Sequence, residues 1–399
     1  MAGPAGGRDQ RRRRTGRPRA LRPRLHRGSS HARGPGAGAE QAGGRLRHTP
    51  RGPGGVRAAG DLVAVCCGRD RPPRNLEWSR PSRRGASAVP TWIPEADGLH
   101  LARTLESGQA FRWRWNPGRD GARVAVGVIG REVLQVEQDA RGLCLLSPDT
   151  QEARRLLLDY LGCSREPRGV AGIEAALAED GVLARILPHT RGIAILAQDP
   201  WEVLISFIIS ANNNIPKITQ SIERLARAFG EPLGDGAHAF PAPARLAAAR
   251  PQTLAACLLG YRAPYVRAAA RMVADGGLDL AALRLVPFEA ARERLLEVPG
   301  VGEKVADCIL LFGLGRTAAF PVDVWVTRAV ERLYFRGRPR TPKQIQAFAR
   351  ARFGPLAGHA QQHLFAYARA YLRVARASEL GRQAPKHRPP TPRGHPRGT

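Results

Sequence analysis

Between Leu99 and Leu146, apolar and polar residues alternate in short runs. The two-residue period predicts strands over Leu99–Leu105, Phe111–Trp115, Val124–Ile129, Val133–Gln138 and Leu143–Leu146. Glycines and an Asn116-Pro117-Gly118 turn separate the runs, as an antiparallel sheet requires. From Thr150 the period lengthens, beginning with the cap-like Thr-Gln-Glu-Ala. Helices are expected over about 150–161, 200–211, 215–229, 263–275, 288–297, 303–314, 323–335, 341–353 and 355–378. Short turns join most of them, as in a helical bundle. The fold class read from this pattern is α+β, mainly α. A small antiparallel β-rich N-terminal domain (91–195) should lead into a larger helical domain (196–378), with disordered segments at 1–90 and 379–399.

Composition marks off the ends. The first 90 residues hold 21 arginines and only five acids, so they carry +16 of the chain's net +29 and leave +13 for the remainder. This stretch is rich in Gly, Pro and Arg and poor in aromatics, so it should not bury a core. A nucleic-acid-binding arm, a targeting segment and upstream sequence foreign to the native product are all open readings. Because the excess of base persists in the part that folds, a polyanion is the expected partner, and nucleic acid is the commonest one. No apolar run reaches membrane-spanning length, and no charged-then-apolar signal opens the chain, so no membrane partner is expected. Six cysteines without C-x-x-C spacing argue against a zinc ribbon or a disulfide scaffold and suit a reducing compartment.

Among 63 basic residues only Lys217, Lys304, Lys343 and Lys386 are lysines. Val298-Pro-Gly-Val-Gly-Glu-Lys304 therefore keeps an amine where arginine is the rule. Arginine holds phosphates but stays protonated, whereas lysine can lose its proton and form a Schiff base. Gly300 and Gly302 let backbone approach a ligand closely, and the N–H groups at the start of the next helix favour an anion. Val298-Pro-Gly-Val-Gly-Glu-Lys-Val-Ala thus looks like a helix-hairpin-helix, which grips a phosphate without reading sequence. Its bland alternative is a mere connector. Pro321-Val-Asp323-Val supplies a carboxylate at another helix start. Asp323 alone reads as a plain cap; paired with Lys304 it reads as a group that stabilises positive charge on a reacting sugar.

The chain resembles the 8-oxoguanine DNA glycosylases of the helix-hairpin-helix (HhH-GPD) superfamily from about Thr91 to Arg376. The matching stretches are Ser107-Gly-Gln-Ala-Phe-Arg-Trp, Gln198-Asp-Pro-Trp, Ser206-Phe-Ile-Ile-Ser-Ala-Asn-Asn-Asn-Ile, Leu259-Gly-Tyr-Arg-Ala-Pro-Tyr, Val298-Pro-Gly-Val-Gly-Glu-Lys-Val-Ala-Asp-Cys and Pro321-Val-Asp-Val. The resemblance implies a bifunctional base-excision repair enzyme, a DNA glycosylase and abasic-site lyase. It would excise 8-oxoguanine opposite cytosine from duplex DNA with Lys304 as nucleophile and Asp323 as charge stabiliser. It needs no cofactor and no metal. An intracellular monomer is expected, in cytoplasm and nucleoid, or in the nucleus of a eukaryote. The same scaffold with another lesion specificity, such as formamidopyrimidine or hypoxanthine, and a non-catalytic damage-binding module are the rival readings.

The resemblance also assigns individual roles. The Gly108 carbonyl would meet the N7–H that only the oxidised base carries, while Cys308 and Phe365 take its two faces. Gln361 would meet its pairing edge, although neighbouring Gln362 leaves that register open. Asn212 would fill the gap left by the everted base, with Asn213 beside it, Tyr261 stacking and Arg262 reaching the opposite cytosine. Two positions depart from the pattern. Lys217 stands where many relatives have arginine, which puts bidentate reading of that cytosine in doubt. Trp325 stands where eukaryotic members carry a phosphate-binding histidine.

Overall fold

A computed structural model of the chain describes residues 91–118, 121–164 and 167–372. The expected disordered segments, 1–90 and 379–399, lie outside these residues. Strands β1 (Thr91–Ile93), β2 (Trp113–Pro117), β3 (Arg123–Ile129), β4 (Glu132–Asp139) and β5 (Gly142–Ser147) form one antiparallel sheet in the order β1-β5-β4-β3-β2. Alternate residues Ala125, Leu134, Val136, Leu143 and Leu145 pack on one face with Ala153, Leu157 and Leu161. The opposite face of β3 is covered too. Val124, Val126 and Val128 pack against Ala237 of a small hairpin, β6 (Pro232–Gly234) and β7 (Ala237–His238). Covering both faces is why β3 is buried along most of its length instead of alternately.

The run expected as a first strand, Leu99–Leu105, is instead helix α1 (Leu101–Leu105). Leu101, Thr104 and Leu105 are its buried residues, the spacing of one helical face, and the His100 ring accepts a hydrogen bond from the Arg103 amide at its start. In so short a run, Leu99, Leu101 and Leu105 satisfy both periods, and tertiary packing decides between them.

Helix α2 (Gln151–Tyr160) closes the sheet's core. Helices α3 (Gly169–Leu177) and α4 (Leu183–Thr190) were not expected from the pattern. Ile173, Leu177, Leu183, Ile186 and Leu187 bury themselves with residues 320–368. Downstream come α5 (Pro200–Ser210), α6 (Ile215–Phe229), the short α7 (Pro243–Ala247) and α8 (Pro251–Ala256), α9 (Ala263–Ala274), α10 (Phe288–Leu296), α11 (Glu303–Cys308), α12 (Val324–Tyr334), α13 (Pro342–Phe353) and α14 (Ala357–Tyr367). The pattern predicts neither α7 nor α8; the bounds of the others follow the expected helices closely. The exceptions are α11 and α14, which pass into π-helical turns at Ile309–Gly313 and Ala368–Leu372. The largest core is built around α5: Val203 to Ile209 pack with α6, α9 and the α10–α11 hairpin. Among the described residues no helix is long and apolar enough to cross a membrane.

Candidate active site at the helix hairpin

Helix α10 ends at Leu296, and Val298–Gly302 turns the chain into α11. Val298, Val301, Val305 and Ala306 are buried in the α5-centred core, so the turn is a packed element. At Gly300 φ is +85°, and a Cβ there would lie 2.7 Å from Cβ of Tyr265. Only glycine fits. Gly302 is extended and faces open space, and no side chain caps α11. The first-turn N–H groups are therefore available to solvent or an anion. Arg292 of α10 fastens the two arms together: its Nε donates to Asp307 Oδ1 at 3.0 Å, and a terminal nitrogen pairs with Glu303. Burial lifts the Asp307 carboxyl to about 6 against the opposing pull of Arg292.

Lys304 is half-buried on α11. Its Nζ lies 3.4 Å from Ser210 Oγ and 4.9 Å from the centroid of the Phe207 ring. Phe207 is held in turn by Phe312, stacked at 5.4 Å, and by Phe111, edge-on at 5.7 Å. One turn further along α11 lies the buried thiol of Cys308. Burial pushes that thiol up to about 12 even though the lysine charge pulls it down, so Cys308 is a neutral apolar surface at ordinary pH. The Asp323 charge acts on the same thiol and raises it further. Asp323 is the N-cap of α12: Oδ1 accepts from the Trp325 and Val326 amides at 2.9 and 2.8 Å. Amine and carboxylate thus both act on Cys308, and Asp323 spends its hydrogen bonds on its own helix.

Gly108 adopts φ +82° at the tip of the Ser107–Gln109 turn, and a Cβ there would lie 3.3 Å from the Phe365 ring. The fully buried Gln109 fixes this turn. Its Nε2 reaches the Ala194 carbonyl at 2.8 Å, and its Oε1 accepts from Leu196 N at 2.8 Å. Gln361, on α14, is buried and bonded at both ends: Nε2 donates to Pro321 O at 3.2 Å and Oε1 accepts from Gln362 Nε2 at 2.8 Å. The second glutamine therefore orients the first.

The Asn212–Asn214 loop joins α5 to α6. Asn212 is exposed at φ +48°, Asn213 Nδ2 donates to Ile209 O at 3.1 Å, and Asn214 caps α6 through Lys217 N. The Lys217 side chain is exposed. Arg262, expected to reach across to a cytosine, is buried and bonded here to the loop itself. Its Nε donates to Ala211 O at 2.8 Å, and Nη2 reaches the carbonyls of Ala211 and, at 2.9 Å, Asn212. Tyr261 is 56% exposed; its hydroxyl donates to the same Ala211 carbonyl at 3.2 Å, and its ring lies 4.4 Å from the Arg262 guanidinium. Trp325 is half-buried beneath Arg328 at 5.2 Å, with its backbone N–H given to Asp323. Sequence reasoning missed Ser210, Phe207 and Gln109 as site residues. Each stood inside a matching stretch, but only contacts across the fold reveal what it touches.

Residues 93–204 match the family model described as 8-oxoguanine DNA glycosylase, N-terminal domain, and residues 205–355 match that of the HhH-GPD superfamily base excision DNA repair protein. The chain belongs to the 8-oxoguanine glycosylase branch of the HhH-GPD superfamily. It is 37% identical over 300 residues to a probable N-glycosylase/DNA lyase of Methanothermobacter thermautotrophicus, covering 69% of this chain and 95% of that one. The N-glycosylase/DNA lyase OGG1 of Arabidopsis thaliana is 33% identical over 70% of this chain and 80% of its own length. Among solved structures, MBOgg1 in complex with a low-affinity DNA ligand superposes with a TM-score of 0.63 at 39% identity, over 68% of this chain and 92% of that one. The Clostridium acetobutylicum 8-oxoguanine glycosylase/lyase, bound to duplex DNA with cytosine opposite 8-oxoG, gives 0.62 at 33% identity over the same shares. The antiparallel sheet and helical core expected from sequence are those of this branch.

Proposed function

We propose that the chain removes 8-oxoguanine opposite cytosine from duplex DNA and then nicks the abasic strand, with Lys304 as nucleophile. The observation that carries this reading is the half-buried Lys304 amine, set against Ser210 Oγ and the Phe207 ring beside the glycine hairpin, in a member of this branch. The damaged nucleotide leaves the stack, at an expense of a few kcal/mol, so that C1′ becomes reachable. Nζ of neutral Lys304 bonds to C1′, the glycosidic bond breaks, and the base departs with its electron pair and takes up a proton. Asp323 offsets the positive charge that develops on the sugar. Opening of the sugar ring gives a Schiff base, whose 2′ proton is acidic. Its loss expels the 3′ phosphate, and water then hydrolyses the imine and returns the amine.

The base pocket follows from the same reading. Gly108 contributes its carbonyl, Phe365 and Cys308 the two flanking faces, and Gln361 the pairing edge. Gln361 must exchange its bonds to Gln362 and Pro321 for bonds to the base. Gly300 and Gly302 grip a phosphate, and Trp325 stands at a further DNA-contact position. Asn212, Asn213, Lys217, Tyr261 and Arg262 serve the strand opposite, and Arg262 reaches a cytosine only by releasing part of its hold on the loop. A monomer acting inside the cell, in cytoplasm and nucleoid or in a eukaryotic nucleus, completes the proposal.

Borohydride reduction tests it directly. Wild-type protein should form a covalent adduct with 8-oxoguanine duplex, and Lys304→Gln should form none. A panel of lesion duplexes should give the fastest excision for 8-oxoguanine opposite cytosine. Excision of other lesions with none of 8-oxoguanine overturns the specificity.

A further inference from the structure

Ser210 ends α5, and its hydroxyl proton is already committed: Oγ donates to the Phe207 carbonyl at 2.8 Å. What Oγ offers Lys304 at 3.4 Å is therefore a lone pair. The amine must present an N–H to it. A hydroxyl whose proton is spent elsewhere cannot donate to the amine's own lone pair, which is the electron pair the reaction needs. The residue after Ser210 is Ala211, whose carbonyl is gripped by both Arg262 and Tyr261. The amine's acceptor is thus one peptide away from a loop clamped by two residues read above as DNA contacts.

We propose that Ser210 is a positioning residue for Lys304, and that it links the amine to the state of the Ala211–Asn214 loop. Two surfaces then hold the nitrogen: Ser210 Oγ sets the direction of one N–H, and the Phe207 ring supports it from one side. Of these, Ser210 alone sits at the end of the helix that runs into the clamped loop. When the loop engages DNA and Arg262 or Tyr261 shifts its hold on Ala211, Ser210 shifts with it, and the amine is turned toward the extruded sugar. The contact is long for a hydrogen bond, which leaves the amine free to move onto C1′.

This inference rests on Lys304 being the nucleophile, and the test separates the two. In the full chain, Ser210→Ala should keep lesion-duplex affinity within about twofold yet lower single-turnover base release and borohydride-trapped adduct by about tenfold, the scale set by misplacing a reacting group. Ser210→Thr, which restores the hydroxyl, should recover most of the rate. If Ser210→Ala fails to fold, Ser210→Cys, close in size but a weak acceptor, provides the same readout. The link to the loop is read by a double-mutant cycle: Tyr261→Phe should slow base release in the wild-type background and have little further effect beside Ser210→Ala. Adduct formation by wild type together with an unchanged rate in Ser210→Ala overturns the proposal. So do a parallel loss of affinity and rate, failure of Ser210→Thr to rescue, and strict additivity in the cycle. Absence of any adduct in wild type defeats the lysine mechanism itself, and the proposal falls with it.

Discussion

Gly108 lies so close to Phe365 that a Cβ on it would come within 3.3 Å of the ring, although one sits in a turn before the sheet's second strand and the other on the last described α-helix. Positive φ strains any side chain at 108, and the ring would have to give way slightly to admit one. Gly108→Ala should cost about 1–2 kcal/mol of stability from backbone strain alone. It should also displace Phe365 and depress 8-oxoguanine excision far more than nonspecific duplex binding. Single-turnover rates and thermal unfolding on the same preparations check both effects. A variant that unfolds earlier but excises normally places Gly108 outside the base pocket.

Asp323 caps α12 and, in the proposed mechanism, stabilises charge on the sugar; one substitution separates the two. Asp323→Asn keeps an acceptor for the Trp325 and Val326 amides and removes the charge. Stability should fall by less than about 1 kcal/mol, lesion binding should persist, and base release should slow by at least about tenfold. Equal losses in binding and rate would identify Asp323 as a structural cap only.

Arg262→Ala strips the carbonyls of Ala211 and Asn212 of charged donors. The Ala211 carbonyl keeps only the Tyr261 hydroxyl, and the lost charged hydrogen bonds should cost about 1–3 kcal/mol in denaturant titrations. Arg262→Lys should recover part of that stability, because a lysine reaches fewer acceptors at once. Duplex affinity should fall in both variants, since the loop that carries Asn212 loses its shape.

Two histidines on α14 predict an acid-sensitive fold. Burial pushes His359 down to about 4 and His363 down to about 3, and His363 Nδ1 lies 2.9 Å from Thr190 Oγ1. Below the ordinary histidine range the unfolded chain takes up protons that the folded chain refuses. Stability therefore drops as pH falls from about 6.5 toward 4, on the order of 1.4 kcal/mol per histidine and pH unit. Asp307 acts in the opposite sense, because its raised carboxyl binds a proton in the folded state before it does so in the unfolded one. Burial raises Glu174 and Glu202 in the same sense as Asp307 and lowers His100 in the same sense as the α14 pair; above about pH 5, closer to the ordinary histidine range than to the carboxylate range, the histidines dominate. The melting temperature should decline between about pH 7 and pH 5, and a His359→Gln, His363→Gln double variant should flatten that slope.

Much of this was legible in the chain because local and tertiary preferences coincide. Strand β4 alternates, and α5, α6, α12 and α13 carry the caps Asp199, Asn214, Asp323 and Thr341 that announce their starts. Lys304 was conspicuous because lysine is so scarce. Where the two preferences part, the pattern misled. Leu99–Leu105 satisfies both periods, and α3 and α4 are apolar on faces whose partners lie beyond residue 319. Ser210 was invisible for a related reason. A small hydroxyl gains meaning only from a carbonyl behind it and an amine in front, and the latter arrives from a distant helix.

The hairpin brings backbone amides, and no side chain at Gly302, to its outer edge. Amides cannot tell one nucleotide step from the next, so a protein holding DNA this way can travel along any sequence with equal ease. Selectivity is then deferred to the moment a nucleotide swings out and is tested inside the pocket. In the proposed mechanism, patrol falls to the glycine turn, and discrimination to a pocket assembled from Gly108, Cys308, Gln361 and Phe365, which come from three separate elements.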